Sequence, residues 1–363
     1  MSEQLITSLP LIDISPFLQH PSNPDHQSKT AAEIHEACTS TGFFYLTGHG
    51  IPTHLFSDVL NATRSFLLNA TEEEKESLSI ASNDFARGYQ RKGLNITQGK
   101  ADWHEALDLY APSPFGNEGK GKVLGGENRW PETPKDFKEL ISQYIVTMIR
   151  LGEVMMRATG MGLGLEPDEV EDLVNLAKDS FWVMRCIGYP PLPHTHDGVS
   201  CGAHKDYGCY TFLYADSTRG ALQVFRRGAQ TRSTESLTEE EGEAGVWVNA
   251  DPIEGALVVN IGEMWEIWTN GVYKATLHRV IHKGQNYRVS IPFFYEPAFN
   301  AYISPLPSII RQAKENDKPV KERASIRYGD FLLSKVGGNF TVSAQTGQPE
   351  LNGVEGEVRK GRY

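Results

Sequence analysis

The sequence predicts a mainly β protein with flanking α-helices, in which a helix-rich first half precedes an antiparallel sandwich or barrel. Residues 134–159 place apolar side chains at steps of three and four, which predicts the longest helix. After about residue 180, short β-branched and aromatic runs follow at close spacing, which predicts strands. These runs are FWVMRCIGY, CYTFLYA, ALQVF, GVWVNA, ALVVNIG and YRVSIPFFYEP. We therefore expect a mixed helical region at 1–180, a core at 181–300, and a C-terminal helix and tail at 301–363, packed as one unit.

The N-terminal region is predicted to combine two strands with two helices. LPLIDI at 9–14 is a candidate strand and GFFYLTGHGI at 42–51 is typical of a buried strand. Helices are predicted near 30–41 and within 52–69. Residues 84–130 are rich in Gly, Asn and Lys with isolated aromatics, so we expect long ordered loops there.

Two further segments lie within and after the predicted core. The polar, acidic insertion RRGAQTRSTESLTEEEGEAG lies between two strands and predicts a mobile surface loop. SIRYGDFLLSKV, at 325–336, is typical of a helix, and a Gly-rich polar tail follows it.

Composition favours a small-molecule partner. Acidic residues outnumber basic ones by 46 to 35, and no dense Lys/Arg run is present, which argues against nucleic acid or an anionic membrane surface. The chain has neither a signal-peptide pattern nor eighteen consecutive apolar residues, so we expect a cytoplasmic protein.

Its four cysteines form no CxxC motif and are expected to be free thiols. Nothing in the sequence fixes the oligomeric state.

The segment GAHKDYG, at 202–208, contains a candidate pair of metal ligands. In a strand, His204 and Asp206 would point to the same face because side chains alternate. A polar turn explains the pair equally well when it is considered alone. His278 lies 72 positions after Asp206 and just before a further strand, so a barrel could bring it to the same point. Two imidazoles and one carboxylate suit Fe(II); zinc is the rival metal, although the HExxH motif is absent.

Ten residues after His278, a second pair suggests an anion clamp. Arg288 and Ser290 are again two positions apart in YRVSIPFF and would share a strand face. A guanidinium binds a carboxylate in bidentate fashion, and a neighbouring hydroxyl adds one hydrogen bond. The pair could therefore hold the far carboxylate of a dicarboxylic acid.

Together these residues resemble the Fe(II)/2-oxoglutarate-dependent dioxygenases, in the branch that includes isopenicillin N synthase. The resemblance covers about residues 9–300, and its motifs follow the family order. They are LPLIDIS, GFFYLTGHGI, RGY, MRCIGYPP, GAHKDYG, GALQV, LVVNIGE, TNGVYKATLHRV and YRVSIPFFYEP. It implies a double-stranded β-helix (jelly-roll) core, Fe(II) bound by His204, Asp206 and His278, and 2-oxoglutarate held by Arg288 and Ser290.

The resemblance also implies a role for Tyr189 and an activity. Tyr189 matches a family tyrosine that helps bind a carboxylate of co-substrate or substrate, whereas Ile187 replaces the asparagine of many plant relatives. The implied reaction consumes O₂ and 2-oxoglutarate, releases succinate and CO₂, and hydroxylates a C–H bond of a small metabolite. Desaturation, cyclisation and demethylation need only a different substrate pose. An oxidase that does not use 2-oxoglutarate, as in isopenicillin N synthase, and a silent barrel that acts as a binding protein are the alternatives.

Overall fold

The computed structural model describes residues 9–80, 84, 86–97, 100–119, 121–193, 196, 198–228, 238–240, 243–337, 341–342 and 349–350. Its first half alternates short strands with the longest helices. The elements are β1 Leu11–Asp13, α1 Pro24–Ser40, β2 Phe43–Thr47, α2 Thr53–Asn69, α3 Glu72–Ser77, β3 Gly88–Gln90, β4 Ile96–Thr97, β5 Lys100–Ala101, β6 Glu105–Tyr110, α4 Phe137–Gly162 and α5 Pro167–Asn175.

The second half is dominated by strands, with helices returning near the C-terminus. The elements are β7 Val183–Tyr189, β8 Cys201–His204, β9 Tyr210–Ala215, β10 Leu222–Arg227, β11 Thr238–Glu240, β12 Glu243–Asn249, β13 Leu257–Ile261, α6 Glu263–Trp268, β14 His278–Val280, β15 Arg288–Tyr295, β16 Tyr302–Ile303, α7 Pro307–Glu315, β17 Ile326–Arg327, α8 Tyr328–Gly337, β18 Thr341–Val342 and β19 Pro349–Glu350.

Two sheets build the core. The larger has eight strands in the order β1-β2-β13-β9-β15-β7-β6-β3, and the smaller has five in the order β11-β12-β10-β14-β8. All pairings in these two sheets are antiparallel except that of β1 with β2. A buried cluster combines side chains of both sheets, including Ile187 and Val258 of the larger and Val224 and Val280 of the smaller. The fold is therefore the predicted jelly-roll core with flanking helices, and the larger sheet draws strands from both halves of the chain.

Helix α4 covers the outer face of the larger sheet and fixes β15, the strand that begins with Arg288. Its apolar stripe is buried, as the three- and four-residue spacing predicts. At Gly152 the helix approaches Tyr295 so closely that a Cβ atom would overlap the tyrosine ring. Tyr295 is fully buried and donates a 3.0 Å hydrogen bond to the carbonyl of Ala177, so the ring has little freedom to move.

We expect Gly152→Val to destabilise the protein by about 1 to 3 kcal/mol, because extra methyl groups would displace the Tyr295 ring from a packed interior. Urea denaturation of the purified protein would measure this change. Val146→Ala, at an exposed site of the same helix, should change the free energy of unfolding by no more than about 0.5 kcal/mol. Equal effects of the two substitutions would contradict the close approach.

The structure differs from three local predictions in part. Residues 84–130, predicted as loops, contain β3 to β6, and β6 lies between β7 and β3 in the larger sheet. β6 is almost wholly buried, so EALDLY lacks the alternation that marks a half-exposed strand.

Helix α1 begins at Pro24 rather than near residue 30, because the Asn23 side chain accepts hydrogen bonds from two backbone amides of its first turn. In the predicted surface loop, residues 238–240 form β11, while 229–237 and 241–242 lie outside the described residues.

The C-terminal segment differs from the expectation in detail. Helix α8 begins at Tyr328, three residues after the predicted start, because Ile326–Arg327 pairs with β16 as strand β17. Helix α7 was not predicted. None of the helices in the described ranges has the length and apolar character that crossing a lipid bilayer would require.

Candidate active site

Two neighbouring strands of the smaller sheet bring the predicted histidines together. His204 ends β8, His278 begins β14, and the two residues are direct partners in the antiparallel register. Their ring centroids are 4.3 Å apart. Asp206 follows β8, and its Oδ1 lies 3.7 Å from Nε2 of His204 and 3.6 Å from Nε2 of His278. The three predicted metal ligands therefore converge on one point.

Both imidazoles are held by backbone carbonyls. Nδ1 of His204 donates to the carbonyl of Gly202 at 2.8 Å, and Nδ1 of His278 donates to that of Thr276 at 3.1 Å. In the neutral form that binds a metal, these bonds place the proton of each ring on Nδ1 and leave Nε2 as a lone-pair donor. A backbone hydrogen bond of this kind also fixes the plane of a metal-binding ring.

Asp206 is oriented by two buried polar side chains. Its Oδ2 accepts hydrogen bonds from the Thr211 hydroxyl and from the Asn260 amide, the latter at 2.6 Å. Burial alone would raise the pKa of Asp206, but the positive charge of the neighbouring histidines in their protonated forms and these two hydrogen bonds outweigh it and lower the pKa. The side chain is thus an ionised carboxylate with Oδ1 turned towards both Nε2 atoms. Two neutral imidazoles and one carboxylate fit a divalent metal such as Fe(II).

We expect Asn260→Ala to weaken Fe(II) binding about 10- to 100-fold, because the carboxylate of Asp206 would lose one of the two bonds that orient it. Competition of the purified protein with a chromogenic chelator would measure the affinity. Asn249, which hydrogen bonds to Gln223 at an exposed site, offers the matched control Asn249→Ala. If both variants bind Fe(II) as wild type does, Asn260 has no part in ligand orientation.

The predicted anion clamp lies in the larger sheet, facing the same interior. Arg288 pairs with Tyr189 across β15 and β7, and its guanidinium lies 4.8 Å from the centroid of the tyrosine ring. Ser290 is buried two residues further along β15 and lines the same interior as Tyr189. One cavity is lined by all three side chains and by His204, Asp206 and His278; we call it the rear cavity.

Arg288 carries a buried positive charge that is only partly hydrogen bonded within the described residues. Its side chain is 2 % exposed, and its Nε and Nη1 make no hydrogen bond with any residue in the described ranges. A buried guanidinium without a partner is costly, and a carboxylate that it can bind in bidentate fashion would remove that cost. The rear cavity therefore fits a dianion such as 2-oxoglutarate, with one end at Arg288 and the other at the metal ligands. Ile187 lines this cavity and provides no polar contact there.

A second cavity of about 180 Å³ meets the same metal ligands; we call it the front cavity. His204 and Asp206 line both cavities, and so does Arg185. The front cavity is largely polar on the side of β3, β6 and β7, where Gln90, Asn95, Asp108 and Arg185 contribute. It offers room for a substrate beside the metal site.

Sequence reasoning missed the residues that surround the predicted ligands. These are Thr211, Asn260, Asp108, Arg185 and Glu296. Two of them were visible as polar residues within otherwise apolar strands, Asn260 in LVVNIGE and Arg185 in MRCIGYPP. A buried polar group in a strand requires a partner, which marks such positions as candidates.

Comparison with known proteins agrees with this geometry. Residues 9–133 match the N-terminal model described as non-haem dioxygenase in morphine synthesis, and 178–297 match the 2OG-Fe(II) oxygenase superfamily. A homoarginine-6-hydroxylase of Glycine max is 38% identical over 347 residues, which cover 92% of this chain and 98% of that protein. One of Arabidopsis thaliana is 39% identical, with the same coverage. The chain belongs to the 2OG-Fe(II) oxygenase superfamily.

The fold of this oxygenase also resembles solved structures. Neurospora crassa T7H in complex with alpha-KG matches with a TM-score of 0.74 and 24% identity, over 94% of this chain and 98% of that one. The protein is a non-haem Fe(II)/2-oxoglutarate-dependent dioxygenase whose cofactors are Fe(II), 2-oxoglutarate and O₂. It hydroxylates a small-molecule substrate and releases succinate and CO₂. These findings favour the 2-oxoglutarate-dependent activity over the two alternatives, an oxidase that does not use 2-oxoglutarate and a catalytically inactive barrel that acts as a binding protein.

Proposed function

We propose that His204, Asp206 and His278 hold the Fe(II) and that Arg288, Ser290 and Tyr189 hold the distal carboxylate of 2-oxoglutarate. The observation that supports this assignment best is that two nitrogens of the buried Arg288 guanidinium have no hydrogen-bond partner in the described part of the chain, in a cavity that also reaches the three ligands. The substrate would bind in the front cavity, which meets His204 and Asp206 from the other side.

The residues of the site have separate roles in binding the metal and 2-oxoglutarate. When bound, Fe(II) with 2-oxoglutarate and O₂ supplies the oxidant that replaces a C–H hydrogen by a hydroxyl group. Asp206 offsets part of the metal charge, and its two hydrogen bonds keep the ligand face fixed. Arg288 and Ser290 orient 2-oxoglutarate from its far end. Apolar side chains such as Leu213 and Pro292 line the rear cavity and exclude water from it.

For the substrate, we infer a basic amino acid, with homoarginine as the first candidate. The relatives that match over 92% of this chain at 38% and 39% identity are homoarginine-6-hydroxylases. The front cavity has charged side chains of both signs, which suits a molecule that is itself charged at both ends.

The test has two stages. Metal-free protein is mixed anaerobically with Fe(II) and 2-oxoglutarate, and the metal-to-ligand charge-transfer band is recorded; homoarginine and air are then added and succinate is measured. We expect the band with wild type, its loss in His204→Ala, and succinate release that homoarginine stimulates. A folded wild-type protein without the band overturns the ligand and clamp assignment. A band without homoarginine-stimulated succinate overturns only the proposed substrate.

We further propose a cytoplasmic enzyme of secondary metabolism that does not bind nucleic acid or membranes. Its net charge of −11 is unfavourable for binding polyanions. Fractionation of the producing cells and an electrophoretic mobility assay with duplex DNA would test these points. Membrane association or a salt-sensitive DNA shift would contradict them.

A further inference from the structure

The front cavity has polar groups of opposite character at its two ends. One end is formed by Arg185 of β7 with its neighbours on β6 and β3. The other is formed by Glu296, which directly follows β15, and by Tyr207 and Leu332. The metal ligands His204 and Asp206 line the same cavity.

At the first end, Arg185 is held so that part of its guanidinium stays available. Its Nε donates to Oδ1 of Asp108 at 2.8 Å, and its Nη2 lies 3.5 Å from Oδ1 of Asn95. Gln90 hydrogen bonds to the other oxygen of Asp108, so this carboxylate is fully engaged. Nη1 of Arg185 makes no hydrogen bond with any residue in the described part of the chain. An arginine fixed in this way presents a donor to an incoming carboxylate.

At the second end lies the buried carboxyl group of Glu296. It is 5 % exposed, and its Oε2 accepts a 2.7 Å hydrogen bond from the Tyr328 hydroxyl. Within the described ranges its carboxyl group forms no ion pair, and the Tyr328 hydroxyl is the one side chain that donates a hydrogen bond to it. Burial raises the pKa of Glu296 to about 8, with Asp206 adding to the rise, and a cation bound beside the group would lower the pKa again and favour the carboxylate form. Gly208 leaves the space for this carboxyl group, because a Cβ atom there would overlap it.

The spacing of the two ends fits a molecule with distant charges. In the register of β7 with β15, Arg185 lies opposite Pro292, and Glu296 is four residues further along the chain. At about 3.3 Å per residue, that separation is roughly 13 Å along the backbone.

We propose that Glu296 binds the cationic terminal group of the substrate and that Arg185 binds its carboxylate. This inference rests on the proposed function, because it assigns the two ends of the same substrate cavity. Glu296 would then select guanidino or ammonium compounds over neutral analogues, since a cation supplies the partner that this carboxylate lacks.

The test compares homoarginine with homocitrulline, in which a neutral ureido group replaces the guanidinium. Dissociation constants are measured by calorimetry on the anaerobic complex of the protein with Fe(II) and 2-oxoglutarate, and KM values by succinate release. In Glu296→Gln we expect the dissociation constant of homoarginine to rise about 30-fold or more, and that of homocitrulline to change less than threefold. The matched control is Glu263→Gln, because Glu263 is a half-buried carboxylate that pairs with Lys335 and does not line the front cavity.

Arg185 is tested with homoarginine amide, which lacks the carboxylate. Wild type should bind the amide at least about 30-fold more weakly than homoarginine, and Arg185→Gln should bind both alike. The charge-transfer band must be intact in every variant, which separates a failure here from a failure of the iron and 2-oxoglutarate assignment. Wild type that binds none of homoarginine, arginine and lysine, or a Glu296→Gln protein with unchanged preference for homoarginine, overturns the proposal.

Discussion

An Asp206→Ala protein is expected to keep its fold and to lose hydroxylation by more than about 100-fold. Removal of a residue that only orients a metal ligand already costs about 10- to 100-fold in metal affinity or activity, and Asp206 is assigned as a ligand itself. The fold should survive because the main chain at this position is held independently: the Asp206 carbonyl accepts a 2.9 Å hydrogen bond from the amide of Glu263. Succinate release and Fe(II) affinity are the measurements.

Asp206→Asn is the companion variant. Alanine leaves the buried Asn260 amide and Thr211 hydroxyl without an acceptor, which costs about 1 to 3 kcal/mol per group, whereas asparagine retains an acceptor oxygen of the same shape. Loss of activity in both variants, with the unfolding midpoint of Asp206→Asn close to that of wild type, assigns the effect to the missing charge. Turnover at the wild-type rate in either variant would exclude Asp206 as a ligand.

The sequence predicts most of the core strands because each is a short apolar run between turn residues, a pattern that depends only on local chemistry. Strand β6 does not show this pattern. EALDLY begins with Glu and contains a buried Asp108, whose carboxylate is acceptable there because Arg185 of the neighbouring strand pairs with it. That pairing joins residues 77 positions apart, so no window of sequence shows it.

The residues of the site likewise fall into two groups, those that a local sequence pattern predicts and those that depend on the packing of distant strands. The two-residue spacing of His204 and Asp206, and of Arg288 and Ser290, can be read from strand alternation. The convergence of His278 on His204 requires the pairing of β14 with β8, which follows from the jelly-roll topology and not from either segment. Likewise Asn260 reaches Asp206 from β13, in the other sheet. Local patterns therefore predict ligand pairs, whereas the residues that orient them depend on how distant strands pack.

The second large effect is expected when Arg288 of the anion clamp is replaced. We expect Arg288→Leu to raise the KM for 2-oxoglutarate about 30-fold or more, because truncating one partner of a buried ion pair costs about 2 to 5 kcal/mol. The free energy of unfolding in the absence of 2-oxoglutarate should stay the same or increase, since two nitrogens of the buried guanidinium have no hydrogen-bond partner in the described structure. Succinate release at varied 2-oxoglutarate and urea denaturation measure the two quantities.

Graded variants distinguish this role from general damage to the barrel. Ser290→Ala removes one hydroxyl that is assigned to the same carboxylate, and a hydrogen bond to a charged group contributes about 1.5 to 3 kcal/mol, so its KM should rise roughly tenfold or more. Arg288→Lys keeps the charge but loses the bidentate geometry, and its KM should lie between those of wild type and Arg288→Leu. A structural role for Arg288 would instead lower stability and leave the KM for 2-oxoglutarate unchanged. The guanidinium stacks on Tyr189, yet its Nε and Nη1 have no hydrogen-bond partner among the described residues, so binding of a carboxylate ligand explains its position better than packing does.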